Sequence, residues 1–531
     1  MKHFYQIASI FFLLLSFSIN VYSQEFIIEG IKYKLSEGEA QVVKILKSGA
    51  VTFPATIRYN NKEYSVTSIS SYSYKNGYEI TKITIPSSIK SIGEGAFYYC
   101  QSLQELVISD SEKELELGTS ICSIKKLYLG RNLSGKTNLH QVDYKNVFGD
   151  KITDVIIGEN VTEILGYLFY GCSSITKIEL PKGLKSIHTC AFSGCKGLKS
   201  IKLPHQLEFI ASSAFINTDL TEISIPNSVT TIGDRVFENC TKLKKIIIED
   251  GNYNLKFSGG MFYFAEGLNL ENVYVGRNLS SVVFKSCKIE TLTIGANVSE
   301  VGGSFFQCDG IKNVIINDSK QSLRLDDFMP KRGTEKVYMG RDIINKTIDA
   351  YVFGIDVKEA EIGSDVLSIC RSAFKDCQKL EKVTIPEGVR EILDYAFYGC
   401  TSLETIHLPK TITNFGYMCF FECKRLKEIY EYAEEHPSCK PVVFDDYACN
   451  NVTLYIPKGA LESYKEFYNN PFYSFKKKIE MSGTSINTLS ISENNVSWYS
   501  LNGTNLDKPK GKGVFLLRKN GKVQKVILKN H

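Results

Sequence analysis

The chain has 531 residues and a formal net charge of +5 at neutral pH. The segment from Lys476 to the end holds eleven basic and three acidic residues, a charge of +8, so the remainder carries about −3 (5 − 8). A nucleic-acid-binding protein needs a concentrated basic stripe on its folded body. The charge balance therefore argues against a nucleic-acid partner.

The first residues have the composition of a secretory signal. Lys2 and His3 precede the apolar residues 7–17, and smaller residues follow. This order predicts a signal peptide over residues 1–23, with cleavage near Ser23. Because no later apolar run is long enough for a membrane helix, we expect no transmembrane segment in the mature chain. The expected location is outside the cytoplasm: at the cell surface, associated with the outer membrane, or secreted.

Residues 24–75 alternate apolar and polar side chains, as at Ile31 and Tyr33 and again at Tyr64 and Val66. Alternation of this kind is typical of strands with one buried face. We predict a small N-terminal β cap that covers the edge of the structure that follows.

A 23-residue repeat fills residues 76–475. In its clearest copies, apolar residues recur 23 positions apart, as in Ile385 and Leu408 or Phe397 and Phe420. A single copy buries too few side chains to offset the entropy of ordering its backbone, about 1.5 kcal/mol per residue. Stacked copies share buried faces, so the period predicts a β-rich solenoid with about sixteen turns between residues 80 and 457.

Each copy has two parts. The LxxIxI run alternates and ends at Pro or Gly, which predicts short strands that stack into one long parallel sheet. The AFxxC run predicts an irregular convex wall with one short helical turn and a core Phe. The stretches 106–157, 246–294 and 314–362 break the period, and we interpret them as degenerate turns with insertions. The predicted anchors are Phe97, Phe169, Phe192, Phe215, Phe237, Phe306, Phe374, Phe397 and Phe420.

The recurring pattern IxxIxIPxxVxxIGxxAFxxC resembles the BspA-type leucine-rich repeat, also called the Treponema pallidum type, found in surface proteins of the Bacteroidetes. The closing phrase NVTLYIPKGALESYKEFYNNPFYSF is similar to the last turn of such repeats. The resemblance covers roughly residues 60–470 and implies a leucine-rich repeat solenoid. It also implies adhesion to host extracellular proteins or to other bacteria, which is an analogy of fold.

The C-terminal residues 476–531 form a basic segment with Gly turns, which predicts a small β module. It resembles the C-terminal β-domain of exported Bacteroidetes proteins, some of which direct type IX secretion. A basic β module without a sorting role explains the same residues, and both interpretations stay open.

One motif resembles a nucleotide site. Residues 130–137, GRNLSGKT, fit the pattern GxxxxGK[ST]. A phosphate-binding loop needs a helix directly after it, and residues 138–148 lack helical periodicity. Similar GRNL and GRDI segments begin at Gly276 and Gly340, so we interpret GRNL as a feature of the repeat and predict no nucleotide cofactor.

The fifteen cysteines need another explanation. Eight occupy one slot of the repeat, where side chains that point the same way do not suit disulfide geometry. We predict buried, reduced thiols that act as small hydrophobes, although an oxidising location favours bridging. No paired CxxC, HExxH or GxSxG occurs, so we predict no metal, no cofactor and no enzyme activity.

The candidate binding surface is the concave face of the sheet, formed by strand residues that alternate with the buried ones. Tyrosine is common in binding hot spots, and three tyrosines share one slot of the irregular blocks. Simple packing on neighbouring side chains is the alternative for these tyrosines. The candidate ligand-binding residues are Tyr128, Tyr274, Tyr338, Lys177, Glu179, Lys202, Glu222, Lys382, His407 and Tyr430.

The sequence thus predicts a non-enzymatic, exported binding module. Its expected partner is an extracellular protein or a glycan, contacted on a host cell or on another bacterium. The alternative is a structural cell-surface scaffold without a dedicated ligand.

Overall fold

The computed structural model describes residues 25–74, 79–98, 100–118, 124–134, 147–258, 264–280, 283–301, 303, 305, 307–325, 330–345, 351–440, 442–466, 469–481, 496–499, 505–506, 513–519 and 522–528. The predicted signal peptide lies outside these residues. The chain divides into two compact units, Met1–Leu184 and Lys185–His531. Within each unit the chain coils as a β-solenoid with turns of roughly 23 residues, which confirms the predicted fold class.

The strands of the first unit are, in chain order, β1 (Glu25–Ile28), β2 (Ile31–Ser36), β3 (Glu39–Ile45), β4 (Gly49–Thr52), β5 (Thr56–Tyr59), β6 (Lys62–Ile69), β7 (Ile80–Ile85), β8 (Ser91–Ile92), β9 (Glu105–Ile108), β10 (Leu115–Leu117), β11 (Lys126–Leu129), β12 (Leu133–Ser134), β13 (Asp154–Ile157), β14 (Glu163–Ile164) and β15 (Lys177–Glu179).

Two walls of the first unit are sheets. The longer strands form a parallel sheet in the order β4-β7-β9-β11-β13-β15. The shorter strands form a second parallel wall, β3-β6-β8-β10-β12. Strands β1 and β2 join β3 in antiparallel fashion, and β5 joins β6 in the same way. These antiparallel strands lie where the N-terminal β cap was predicted.

The strands of the second unit are β16 (Ser186–Ile187), β17 (Phe209–Ile210), β18 (Glu222–Ile225), β19 (Thr231–Gly233), β20 (Lys245–Ile248), β21 (Lys256–Ser258), β22 (Ala265–Glu266), β23 (Asn269–Val275), β24 (Phe284–Lys285), β25 (Lys288–Ile294), β26 (Gly310–Ile316), β27 (Leu323–Arg324), β28 (Lys336–Met339), β29 (Ile343–Ile344), β30 (Glu359–Ile362), β31 (Ser368–Ile369), β32 (Lys382–Thr384), β33 (Glu391–Ile392), β34 (Thr405–Leu408), β35 (Asn414–Phe415), β36 (Glu428–Glu431), β37 (Ser438–Cys439), β38 (Thr453–Ile456), β39 (Lys477–Glu480), β40 (Val496–Tyr499), β41 (Asn505–Leu506), β42 (Gly513–Lys519) and β43 (Lys522–Leu528).

The long strands of the second unit also stack in parallel. Their order is β18-β20-β23-β25-β26-β28-β30-β32, followed by a separate sheet β34-β36-β38-β39. The opposing wall consists of β16-β17-β19-β21, β22-β24, β27-β29 and β31-β33-β35-β37. The last four strands form an antiparallel sheet in the order β41-β40-β42-β43, within the segment predicted as a basic β module. Strand β39 belongs to the solenoid sheet, so that sheet runs past the boundary predicted at residue 475.

Strand register follows the predicted period. Ile83 pairs with Leu106, and Ile406 with Ile429, each 23 residues apart (106 − 83; 429 − 406). In the irregular stretches the spacing changes: Leu127 pairs with Val155, which is 28 residues further along (155 − 127). The insertions therefore enter between strands and leave the parallel pairing intact.

A column of phenylalanine rings runs through the core. Phe397 is fully buried, and its ring centroid lies 5.4 Å from that of Phe374 and 5.3 Å from that of Phe420, with nearly parallel planes. Stacking at about the strand spacing lets each turn cover the ring of the next. Phe306, a predicted anchor, lies outside the described residues, and the neighbouring Phe305 stacks on Phe284 at 4.9 Å.

Turns form the third wall of the solenoid. The prediction of a short helical turn in the AFxxC run is wrong. In this run the Cys400 amide donates to the Phe397 carbonyl oxygen at 3.3 Å, which closes a four-residue turn. The residue before the Ala-Phe pair is left-handed, as at Ser213 (φ 58°) and Tyr395 (φ 60°). A right-handed helix cannot continue through such a residue.

Helix is rare in the described residues. The α-helix α1 spans Asp446–Asn451, and its first turn is capped by the Asp445 carboxylate, which accepts from the Ala448 amide at 2.9 Å. A 3-10 helix spans Ser463–Lys465.

Candidate functional site

The outward side chains of neighbouring strands align into rows because parallel strands keep one register. In the first unit, one position per strand forms a row that we call the unit 1 row: Thr84, Val107, Tyr128, Ile156 and Glu179. In the second unit, the corresponding unit 2 row is Ser224, Ile247, Tyr274, Thr293, Ile315, Tyr338, Glu361 and Thr384.

The three predicted tyrosines occupy these rows, and each is anchored by an aspartate. The Tyr128 hydroxyl donates to Asp110 Oδ1 at 2.8 Å, and the Tyr274 hydroxyl donates to Asp250 Oδ1 at 2.8 Å. The Tyr338 hydroxyl donates to Asp318. Hydrogen bonding to the Asp110 carboxylate raises the pKa of Tyr128. The three rings are therefore held in one orientation.

The three tyrosines differ in exposure. Tyr128 and Tyr274 are half-buried, whereas Tyr338 is only 8% exposed. The expectation of an exposed side chain is therefore wrong for Tyr338, which fits the alternative of packing within the turn stack. Burial is the larger cause of the raised pKa of Tyr274, followed by its bond to Asp250.

Glycines make room for the contact between each of these tyrosines and its aspartate. A Cβ atom on Gly295 would lie 2.7 Å from the Tyr274 hydroxyl oxygen, and one on Gly363 would lie 2.7 Å from that of Tyr338. One turn earlier, a Cβ on Gly276 would lie 2.5 Å from the Asp250 amide nitrogen. Since real Cβ atoms do not approach so closely, these positions require glycine.

The arginine of each GRN or GRD segment (Arg131, Arg277 and Arg341) is buried and donates to backbone oxygens. Arg277 is 1% exposed and donates to the carbonyl oxygens of Pro226 (2.8 Å), Asn227 (2.9 Å) and Val229 (2.7 Å). Arg131 and Arg341 each donate to two carbonyl oxygens in the equivalent loops. Burial lowers the pKa of Arg277.

The next residue in the motif joins its turn to the following one. Asn132 Oδ1 accepts from the Thr162 amide at 2.8 Å, and Asn278 Oδ1 accepts from the Ser299 amide at 2.8 Å. Asp342 Oδ1 accepts from the Leu367 amide at 2.7 Å. The GRN segment is thus a feature of the repeat, as predicted. Residues 135–137, which complete the nucleotide-like pattern, lie outside the described residues.

The predicted charged residues are exposed, but several are paired. Lys177 forms an ion pair with Glu179 at 2.6 Å, and Glu222 lies 3.8 Å from Lys245. Lys382 is exposed on β32. Lys202 is exposed but lies outside the described strands, so it does not join a row.

His407 and Tyr430 come together in an aromatic stack that also contains Tyr455. The His407 and Tyr430 ring centroids lie 4.6 Å apart, and those of Tyr430 and Tyr455 lie 4.5 Å apart, with planes within 8° of parallel. His407 Nδ1 is 2.9 Å from the Tyr432 hydroxyl oxygen, and burial lowers the pKa of His407. The imidazole is therefore neutral at physiological pH.

Sequence reasoning missed several members of these surfaces. Val107, Ile156, Ile247 and Ile315 lie in the rows, which are more apolar than the predicted mixed, polar surface. They belong to stretches whose register was not assigned from sequence. The anchoring aspartates were also missed, although each follows a strand as the third residue of ISD, IED or IND.

The cysteines of the repeat slot are buried hydrogen-bond donors. Cys400 Sγ donates to the Phe374 carbonyl oxygen at 3.2 Å, and Cys423 Sγ donates to that of Phe397 at 3.2 Å. Burial raises the pKa of the Cys423 thiol to about 12. Every cysteine in the described residues is free.

Glu431 is a buried carboxyl on β36. It is 0% exposed, and one of its oxygens accepts from the Ala433 amide at 3.0 Å. Its strand register places it beside Leu408, in an apolar position. Burial raises the pKa of Glu431 to about 8.

Two features are absent from the described part of the chain. Among those residues, no group of three or more His, Cys, Asp or Glu side chains is placed to hold a metal ion. In the same residues, we find no helix with the length and apolar character needed to cross a membrane.

Comparison with protein families identifies the fold family. The family model described as the BspA type leucine rich repeat region matches six copies, over residues 67–164, 137–269, 260–354 and 346–479. The chain belongs to this family. Leucine-rich repeat proteins of this family and fold are typically non-catalytic scaffolds for protein interaction. A search of curated proteins finds no match.

Three solved structures of leucine-rich repeat proteins are among those to which this BspA-type chain is similar. A leucine-rich repeat protein from Bacteroides ovatus is 20% identical over 86% of this chain and 100% of its own, with a TM-score of 0.31. A leucine rich cell surface protein from Faecalibacterium prausnitzii is 20% identical over 86% and 95%, with a TM-score of 0.28. The leucine-rich repeat protein of Treponema pallidum is 19% identical over 45% and 88%, with a TM-score of 0.23.

Proposed function

We propose that the chain is an exported surface protein that binds an extracellular protein partner through its outward rows. The sequence supports export through the signal-like residues 1–23. Membership of a family of interaction scaffolds supports binding rather than catalysis. A partner on a host cell and a partner on another bacterium both fit this proposal.

The observation that carries the proposal is the apolar middle of the unit 1 row. Ile156 is 59% exposed and lies in register with Tyr128, which in turn lies beside Val107. An exposed aliphatic side chain beside an aromatic one on a regular sheet offers apolar area for burial by a partner. Two ion pairs, Lys82–Glu105 and Lys126–Asp154, place opposite charges across neighbouring strands of the same sheet.

Rigidity favours binding at this row. The Asp110 bond fixes the Tyr128 ring before any partner arrives, and parallel strands fix Val107 and Ile156. A surface that is already ordered loses little conformational entropy on association, so more of the contact energy remains as affinity. The unit 1 row is therefore better suited to a firm protein contact than an exposed loop would be.

The test measures binding of the full chain to an array of purified extracellular matrix proteins and to intact bacterial cells. Ile156→Asp places a charge in the row, and we expect it to weaken binding at least about tenfold. Ile344→Asp is the matched control, because Ile344 is 50% exposed on β29, outside the rows. Equal binding by both variants would contradict the proposal. Regular self-assembly without binding to any array member would favour the structural scaffold instead.

Export has a separate test. Cell fractionation combined with mass mapping of the mature ends is expected to find the chain outside the cytoplasm and cleaved near Ser23. Loss of the segment after residue 476 would support a sorting role for the C-terminal module, and its retention would support a module without that role. Recovery of the uncleaved chain from the cytoplasm would contradict export.

A further inference from the structure

The long parallel sheet of the second unit is interrupted between β32 and β34, which belong to successive turns. Strand β32 pairs with β30 before it, and β34 pairs with β36 after it. Among the described residues, no backbone hydrogen bond joins β32 to β34, whereas the other neighbouring long strands from β18 to β39 are paired. We call this interruption the strand gap. It leaves two facing strand edges whose backbone groups have no partner among those residues.

The strand gap is confined to one wall of the solenoid. On the convex wall of the same two turns, the amides of Tyr395, Phe397 and Gly399 each donate to a carbonyl oxygen of the next turn at 2.9 Å. In the remaining wall, β33 pairs with β35. The Phe397 and Phe420 rings stack in the core at 5.3 Å. The two turns are therefore joined everywhere except at the sheet, so the gap can widen by pivoting about the ring column.

Apolar side chains are uncovered at the gap. Val383 and Ile385 occupy the inward positions of their turn, yet both are only half-buried. The residues equivalent to Val383 one turn before and one turn after, Ala360 and Ile406, are 4% and 1% exposed. The gap therefore opens onto apolar surface that the neighbouring turns cover.

The direction of the peptide groups shows which of them face the gap. In a trans peptide the N–H points opposite to the C=O of the preceding residue, and the direction alternates along a strand. The Glu404 carbonyl oxygen accepts from the Glu428 amide at 3.3 Å, so it faces β36. The N–H and C=O groups of Thr405 and His407 therefore face the gap. The same alternation directs those of Val383 into the gap from β32.

These edges select a polypeptide backbone as the ligand. Each edge presents N–H donors and C=O acceptors in alternation along an extended strand that rises about 3.3 Å per residue. An extended segment of another protein has the same alternation and can bond to both edges, as in β-strand addition. Aliphatic side chains at alternate positions of that segment cover Val383 and Ile385. An inserted strand needs about twice the usual strand spacing of about 4.8 Å, so we expect the gap to widen on binding.

We propose that the strand gap takes up an extended, aliphatic-rich segment of a partner protein as an additional strand of the sheet. The backbone of the segment bonds to Val383 on one side and to Thr405 and His407 on the other. This site lies in the second unit and uses backbone groups, whereas the proposed contact at the unit 1 row uses side chains. Either proposal can therefore fail while the other stands.

The experiment uses the heptapeptide ITKITIP, which copies residues 80–86 of this chain, as the extended probe. Isothermal titration calorimetry measures its binding to the full chain. A matched peptide has the same side chains but carries N-methyl groups on two alternate interior residues, so it lacks those backbone donors. We expect the N-methylated peptide to bind at least about tenfold more weakly.

A proline variant of the chain tests the gap from the protein side. Thr405→Pro removes an N–H that faces the gap and keeps the bonds to β36, and we expect at least about tenfold weaker binding of ITKITIP. Lys410→Pro is the matched control, because Lys410 is exposed and occupies the second position of a turn. The Ile412 amide closes this turn by donating to the Pro409 carbonyl oxygen at 3.1 Å. Proline is favoured at the second position of such turns.

Hydrogen exchange followed by mass spectrometry locates the probe on the wild-type chain, which needs no variant to fold. ITKITIP is expected to slow exchange in residues 380–386 and 403–409. Exchange in residues 452–457, which contain β38, should stay unchanged.

The outcomes support or overturn the proposal as follows. Binding that protects both gap segments and is weakened by N-methylation supports it, as does weaker binding by Thr405→Pro with Lys410→Pro unchanged and both variants folded by circular dichroism. Three results overturn it: no binding of ITKITIP, equal binding of the N-methylated peptide, or protection only outside the gap segments. Protection of the gap that rises with protein concentration without peptide also overturns it, because a second copy of the chain is then the occupant.

Discussion

Replacing Arg277 tests the role of the buried arginines in holding adjacent turns together. Its guanidinium donates three hydrogen bonds, of 2.7, 2.8 and 2.9 Å, to backbone carbonyl oxygens. A hydrogen bond to a charged group contributes about 1.5–3 kcal/mol, and burial without a carboxylate partner offsets part of that gain. We therefore expect Arg277→Ala to lower the free energy of unfolding by about 4–5 kcal/mol.

Two further variants define the mechanism. Arg277→Lys keeps the charge but loses the planar fork that reaches several oxygens, so we expect it to cost nearly as much as Arg277→Ala. Arg341→Ala removes two hydrogen bonds rather than three, and we expect a smaller loss of about 3 kcal/mol. Arg390→Ala is the control, because Arg390 is exposed and its change is expected to stay within about 0.5 kcal/mol.

The assay is urea unfolding followed by far-ultraviolet circular dichroism, with local opening followed by hydrogen exchange in residues 226–229. A loss for Arg277→Ala no larger than that for Arg390→Ala would refute the reasoning. Full stability of Arg277→Lys would show that charge alone, rather than the fork of donors, holds the loop.

Three more predictions concern the core, the pH response and the tyrosine anchor. Phe397→Ala empties a fully buried position in the ring column, and calorimetry is expected to show a loss of about 3–5 kcal/mol. The folded pKa of Glu431 is about 8 against an ordinary value of 4.5, so the folded chain keeps a proton that the unfolded chain releases. The free energy of unfolding should therefore fall by about 5 kcal/mol in all as the pH rises from 4.5 through 8. Urea titrations of the Glu431→Gln variant should not show this fall. Tyr274→Phe removes the donor to Asp250, and urea unfolding should show a loss of about 1.5 kcal/mol.

Each of these predictions has an opposing outcome. A Phe397→Ala protein that melts like the wild type would contradict the core assignment. The same pH slope in Glu431→Gln and wild type would assign the response to other groups. A Tyr274→Phe protein of unchanged stability would show that the aspartate contact does not hold the ring.

The period and the buried strand positions could be predicted because each turn repeats the same core slots. Pairs such as Ile406 and Ile429 lie in register at the predicted spacing of 23. The conformation of the convex turns could not be predicted. A helical turn and a turn that contains a left-handed residue place Ala and Phe at the same spacing in the sequence. The backbone angle at Ser213 or Tyr395 follows from the closing of each turn against its neighbour. That constraint is tertiary, and the residue types do not reveal it.

The candidate site was predicted only in part. Tyr128 and His407 could be placed on the outer face of the sheet, because the alternation of side chains along a strand depends on the local sequence pattern alone. The partners of these residues depend on register across turns of unequal length. Asp110 lies 18 residues before Tyr128, whereas Asp250 lies 24 before Tyr274, so no fixed spacing indicated the contact. Burial of Arg277 was likewise not predicted, because a charged side chain without a carboxylate partner is rarely buried.

The most direct test of the proposed function is hydroxyl-radical footprinting of the chain alone and with a protein partner found on the array. Binding through the unit 1 row predicts that oxidation of Val107, Tyr128 and Ile156 falls in the complex. Tyr98, which is 58% exposed outside the row, should keep its reactivity. Protection of Tyr98 with unchanged oxidation of Ile156 would contradict the account.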